Sequence, residues 1–197
     1  MIRRLQPRVL VTAFALTLAL VGEALAGAPI EQLRGRIDHV VGILDDGGLK
    51  ARPAERRAAL RGAAAEIFDF TEITRRALGR HWQTVTPAER DELVRLLTGL
   101  LEHAYMGRIE QYTGERIAFV GESLEGDLAI VRTRLVGKSG IDIPVDYRLY
   151  RAGDRWLAYD ITVEGVSLVA SYRAQFNRII QTSSTQALVE RLRARQQ

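Results

Sequence analysis

A chain of 197 residues with 28 basic and 24 acidic side chains carries a net charge of +4, and 47% of its residues are apolar. That is long enough for one domain with its own core and too nearly neutral to demand a nucleic-acid partner. It contains no cysteine, which excludes disulfides, thiolate metal sites and a lipid-modified N-terminal cysteine.

The chain opens with Arg3, Arg4 and Arg8, then runs from Val9 to Val21 with only Thr12 and Thr17 as polar interruptions. Ala24-Leu25-Ala26 comes next as an A-x-A cleavage site. This is the pattern of a secretory signal peptide over residues 1–26. As a helix the apolar run reaches only ~20 Å, short of a ~30 Å hydrocarbon core. Removing it takes away three basic side chains and one acidic one and leaves +2. Residues 27–197 are expected to form a single domain, exported and soluble.

Ile30, Leu33, Ile37, Val40/Val41 and Leu44 recur at three and four and predict a first amphipathic helix, ending at Asp46-Gly47-Gly48. Pro53 suits the first position of a second helix, running to about Phe68. Asp69 opens a short helix over 71–78 that stops at Gly79. Thr86-Pro87-Ala88-Glu89 reads as a capping box. It starts a long helix whose stripe, Leu93, Leu97, Leu100/Leu101, Tyr105, Ile109 and Tyr112, is expected to back a sheet.

Four strands come after it: 115–121, 128–136, 141–150 and 156–164. In the second, Ala129, Val131, Thr133 and Leu135 share one face. In the third, Ile143, Val145, Tyr147 and Leu149 alternate with polar residues. This predicts an antiparallel meander with one apolar face. Pro144 suggests an edge strand or a bulge. After Gly165 the period becomes helical, with Ser167 as N-cap and Val169, Tyr172, Phe176 and Ile179/Ile180 on one face. A last helix spans about 185–195. The fold class is therefore α+β: helices, a four-stranded antiparallel sheet, then helices.

No catalytic constellation stands out, and no cofactor or metal is expected. Gly137-Lys138-Ser139 lacks the first glycine of a phosphate loop and precedes a strand. Gly165-Val166-Ser167-Leu168-Val169 lacks the closing glycine of a nucleophile elbow. His39, His81 and His103 form no metal-binding spacing. Asp160 is the one candidate general base, on a strand face shared with Trp156, Thr162 and Glu164. The structural alternative is a bond to the opening of the next helix, with Arg173 or Arg80 as partner.

The segment Tyr159 to Phe176, Y-D-I-T-V-E-G-V-S-L-V-A-S-Y-R-A-Q-F, resembles the signature of the MlaC/toluene-tolerance family. A second motif, F-D-F-T-E-I-T-R-R-A-L-G-R-H-W from Phe68 to Trp82, agrees with it. The resemblance covers roughly residues 30–192. It implies a curved four-stranded antiparallel sheet wrapped by N- and C-terminal helices and enclosing an apolar pocket, in a soluble periplasmic carrier that holds a lipid there. The ligand implied is a phospholipid, or a hopanoid in the family's hopanoid-associated branch. The implied partners are an inner-membrane ABC transporter complex and an outer-membrane lipoprotein complex, with the carrier a monomer and no nucleic acid involved.

From side-chain facing, the ligand-lining candidates are Leu97, Leu101 and Tyr105 on the long helix; Val131, Leu135, Ile143, Val145, Tyr147 and Leu149 on the sheet, opposite the leucine stripe; and Val166, Val169 and Tyr172 after the turn. Period alone does not separate a hollow from a filled core. A hopanoid carrier, an isomerase- or hydrolase-like enzyme using Asp160, and an adaptor with a filled core all stay open at this stage. Intact-mass analysis of the exported protein should show a mature chain beginning at Gly27; a retained leader in the membrane fraction is the contrary result.

Overall fold

The computed structural model describes residues 28–137, 140 and 142–195. The leader read at residues 1–26 lies outside them, as do Lys138, Ser139 and Ile141 of the tight turn. The helices are α1 (Pro29–Asp45), α2 (Gly47–Lys50), α3 (Pro53–Ile67), α4 (Phe70–Leu78), α5 (Pro87–Glu110), α6 (Leu168–Thr182) and α7 (Thr185–Ala194). The strands are β1 (Arg116–Glu125), β2 (Leu128–Val136), β3 (Asp142–Ala152), β4 (Arg155–Val163) and β5 (Val166–Ser167). Among the described residues no helix is long and apolar enough to cross a membrane.

Most helix starts arise from local chemistry. Asp69 accepts from the Glu72 N–H at 2.9 Å and caps α4. Thr86 and Glu89 close a reciprocal capping box around Pro87 at the head of α5. Gly79, at φ 56° and ψ −125°, takes a positive-φ conformation open mainly to glycine, and there α4 ends.

The sheet is an antiparallel meander in the order β1-β2-β3-β4-β5. It has five strands rather than four, because two residues after the β4 turn return to pair with Thr162 and Val163. That turn has positive φ at both Glu164 (49°) and Gly165 (81°), the handedness that matches strand twist in a two-residue hairpin. Pro144 lies on a central strand, not an edge. Its carbonyl faces the β4 side and accepts from the Glu164 N–H at 3.1 Å, beyond the last β3–β4 pair. The missing donor therefore points where the ladder has already ended.

Two bulges reset the alternation. In β1 the register shifts between Phe119 and Gly121, which leaves Val120 unpaired. In β4 Leu149 pairs with Ala158 but Arg148 pairs with Asp160, so Tyr159 is the extra residue. Each extra residue bends its strand and flips the residues after it to the other face. Glu122, beyond the first bulge, joins the inner face opposite Val131. Asp160, beyond the second, leaves the face of Trp156 and Ala158 on which simple counting had placed it.

The inner face carries Ala129, Val131, Thr133 and Leu135 of β2 against Leu149, Tyr147, Val145 and Ile143 of β3. Helix α1 covers one half of it. Leu33 and Ile37 pack with Ile67, Ala129, Val131, Leu149, Trp156 and Ala158. Gln32 accepts from the Trp156 N–H at 3.0 Å, and Arg34 stacks over Phe119 at 4.2 Å. A second core joins α4, α5, α6 and α7 through Ile73, Leu93, Leu97, Phe176 and Leu188. The α5 stripe thus packs mainly on α4 and α7 instead of backing the sheet. A smaller cluster holds the end of α1 on α3 through Ile43, Leu44, Leu60 and Ala63.

These clusters make a sharp prediction. Leu149 is fully enclosed, so Leu149→Ala should lower stability by about 2–5 kcal/mol. Val145 belongs to no cluster, so Val145→Ala should cost about 1 kcal/mol or less. Urea unfolding of the two variants checks the contrast, and equal costs would contradict it.

Candidate functional site

The half of the inner face that α1 leaves free is apolar. Strand register places Ile117 opposite Leu135, Leu135 opposite Ile143, Val145 opposite Val163, Tyr147 opposite Ile161, and Val163 opposite Val166. Leu135, Ile143, Val145, Ile161, Val163 and Val166 belong to none of the three packed clusters. Val166 is 63% exposed and Val163 is 39% exposed. A contiguous apolar surface of this kind is what a folded protein normally covers.

One border of this surface is aromatic. Phe68 touches both large clusters. Its ring lies 6.1 Å from Phe70 and 6.4 Å from Tyr147. Tyr147 is only half-buried, yet burial pushes its hydroxyl up to about 12.

The twelve candidates named from the sequence divide into three groups. Val131 and Leu149 are enclosed beneath α1, and Leu97, Leu101 and Val169 are enclosed in the helical core. Leu135, Ile143 and Val145 lie together on the free half, with Tyr147 at its aromatic border. Tyr105 and Val166 are exposed, and Tyr172 packs partly against the helical core, its ring 5.7 Å from Phe176. Sequence reasoning missed Ile117, Ile161 and Val163. Alternation along β1 and β4 signals them once the bulge in β4 is known.

Residues 35–194 match the family model described as MlaC protein. The chain belongs to the MlaC family. A solved structure of a phospholipid-binding protein from Ralstonia solanacearum, in complex with a phospholipid, resembles it at a TM-score of 0.77 and 24% sequence identity. The match covers 85% of this chain and 96% of that one. At that identity the likeness shows a shared fold, the helix-and-sheet arrangement of an MlaC-like protein.

In this MlaC-family chain Asp160, 6% exposed, is engaged on both oxygens. It accepts from the Ser167 hydroxyl at 2.6 Å and from the Val169 N–H at 3.0 Å. Ser167 in turn accepts from the Ala170 N–H at 3.0 Å. The carboxylate therefore sits at the positive end of α6 and satisfies amide groups that the helix cannot. The nearest cation is Arg148 at 4.0 Å, in place of the Arg173 or Arg80 expected. Arg173 instead donates to the Arg76 carbonyl at 2.8 Å. Asp160 lies on the outer face, away from the free apolar surface, which places it as an anchor rather than a base within that site.

Asp160→Asn should lower stability by about 1–3 kcal/mol, because the amide offers one acceptor oxygen to two donors and turns its NH2 end toward the other. Urea unfolding of the variant and wild type tests this, and equal midpoints are the opposite outcome.

Proposed function

We propose that this protein is a phospholipid-binding carrier of the periplasm, with the acyl chains lying on the free half of the inner sheet face. The observation that carries the reading is the run of apolar side chains from Leu135 to Val166, which among the described residues join none of the three packed clusters. Family membership supports it, and so does the phospholipid held by the solved protein of the same fold. The proposed lining is Leu135, Ile143, Val145, Ile161 and Val163, with Phe68 and Tyr147 at the border.

The energetics suit transport. An acyl chain in water costs about 0.8 kcal/mol per methylene, so two chains of about fifteen carbons cost on the order of 20 kcal/mol to carry uncovered. A sheet face of leucine, isoleucine and valine replaces bilayer hydrocarbon with protein hydrocarbon. Loading and unloading are then close to neutral, and no bond chemistry is needed. In the cell the carrier exchanges its cargo with an inner-membrane ABC transporter complex and an outer-membrane lipoprotein complex. A leader over residues 1–26 delivers it to that compartment.

Val145→Trp tests the site. If Val145 faces lipid, the added ring occupies ligand space, the fold tolerates it and bound lipid falls sharply. If Val145 sits in a filled core, overpacking costs about 1–3 kcal/mol. Native mass spectrometry and thermal melting of both proteins decide between these. Wild type arriving without lipid, together with a strongly destabilised variant, rejects the carrier reading. The ligand mass names the cargo, diacyl for a phospholipid and polycyclic triterpenoid for a hopanoid.

A further inference from the structure

The free half of the inner sheet face runs across the strands from Ile117 to Val166, and only Thr133 and Tyr147 within it carry a polar side-chain atom. Thr133 is already satisfied. It is 2% exposed, and its hydroxyl donates to the Val145 carbonyl at 2.8 Å. Tyr147 is different. Among the described residues its hydroxyl has no hydrogen-bond partner. Nor is that hydroxyl sealed off: the buried side-chain polar atoms without a partner are Arg56 Nε, Trp156 Nε1 and Thr162 Oγ1.

The neighbours of Tyr147 offer hydrocarbon. In the ladder it stands between Val131 of β2 and Ile161 of β4, and its ring lies 6.4 Å from Phe68. Burial raises its pKa to about 12, so the hydroxyl keeps its proton and remains a donor at neutral pH. A donor in such surroundings gains from an acceptor and loses when left without one. Apolar ligand sites commonly fix the orientation of the ligand with a few placed polar groups of this kind.

We propose that the Tyr147 hydroxyl donates to an ester carbonyl at the root of the cargo's acyl chains, so that the site selects acyl esters over ether-linked or polycyclic lipids that lack the carbonyl. The inference rests on the lipid-carrier reading and names the class of lipid that suits it. Charge decides which oxygen is met. A phosphate or a free carboxylate is ionised and calls for a cation, and the free half of the face carries no charged side chain. An ester carbonyl is a neutral acceptor and sits where the hydrocarbon ends. Tyr147 holds the corresponding place on the protein, at the aromatic border, with Val145 and Ile143 leading away from it along β3.

A competition experiment separates this inference from the carrier reading itself. The protein is incubated with vesicles holding equal amounts of isotope-labelled dioleoyl phosphatidylethanolamine and its dioleyl ether analogue, which share chain length and head group. It is then re-isolated, and mass spectrometry reads the ratio of the two labelled lipids bound. In wild type the ester should exceed the ether by about three- to tenfold, the worth of one net hydrogen bond. Tyr147→Phe, which keeps the ring beside Phe68, should bring the ratio close to even. Tyr172→Phe removes a hydroxyl from the ring beside Phe176 instead and should keep the preference. An even ratio in wild type overturns the proposal without recourse to any variant. So does a preference that survives Tyr147→Phe or vanishes in Tyr172→Phe. Uptake of both lipids at an even ratio leaves the carrier reading standing while this inference falls; uptake of neither removes both.

Discussion

Each bulge in the sheet aims one carboxylate at the N-terminus of one helix. Beyond Val120 the chain turns Glu122 inward, where it accepts from the Ile30 N–H at 2.8 Å. Helix α1 has no side-chain cap of its own at Ala28, so Glu122 supplies the acceptor from another element. Beyond Tyr159 the chain turns Asp160 outward, where it holds the Ser167 hydroxyl and the Val169 N–H at the head of α6. Both carboxylates also sit at the positive ends of helix dipoles. One helix is thereby fixed to the inner face and the other to the outer side of β4.

That placement explains how an apolar face can stay open without collapsing. The other helices are committed elsewhere. α5 is held to α3 by Arg57–Glu110 at 2.8 Å and Arg61–Glu102 at 2.7 Å, and to α4 and α7 through its leucines. Helix α4 is pinned at its start: the Asp69 N–H donates to the Ala158 carbonyl at 3.0 Å, and Tyr150 donates to the Asp69 carboxylate. Further along, Arg76 stacks on Tyr159 at 3.7 Å while pairing with Glu72. Two separate cores, meeting at Phe68, leave the apolar half of the sheet between the demands of each.

Much of this was legible in the sequence, for identifiable reasons. The capping box at Thr86, the caps at Asp69 and Ser167, and the alternation of Val131 and Leu135 against Ile143 and Val145 depend on neighbours within a few residues. What failed depended on distant ones. Counting by twos from Trp156 puts Asp160 on the wrong face, because nothing local announces Tyr159 as an extra residue. The stripe on α5 declares that the helix has a buried side but not what buries it. Leu96 and Leu100 are as enclosed as Leu93 and Leu97, a width that suits packing among several helices better than a single seam on a sheet. Pro144 looked like an edge residue because the Glu164 turn that frees its missing donor is twenty positions away.

The same α5 stripe shows where a core gives way to a surface. From Leu93 to Leu101 its apolar residues are enclosed, but Tyr105 is 39% and Ile109 40% exposed. On the sheet, Leu149 and Val131 are sealed while Val163 and Val166 are open. In both layers the apolar pattern continues past the point where packing stops. Continued apolar character there is accounted for if a hydrocarbon partner supplies the missing contacts for part of the time. A fully sealed cavity would demand unfolding to admit a hydrocarbon chain, whereas an apolar face open along one side needs no change in either core, which is the physical sense of the carrier proposed above.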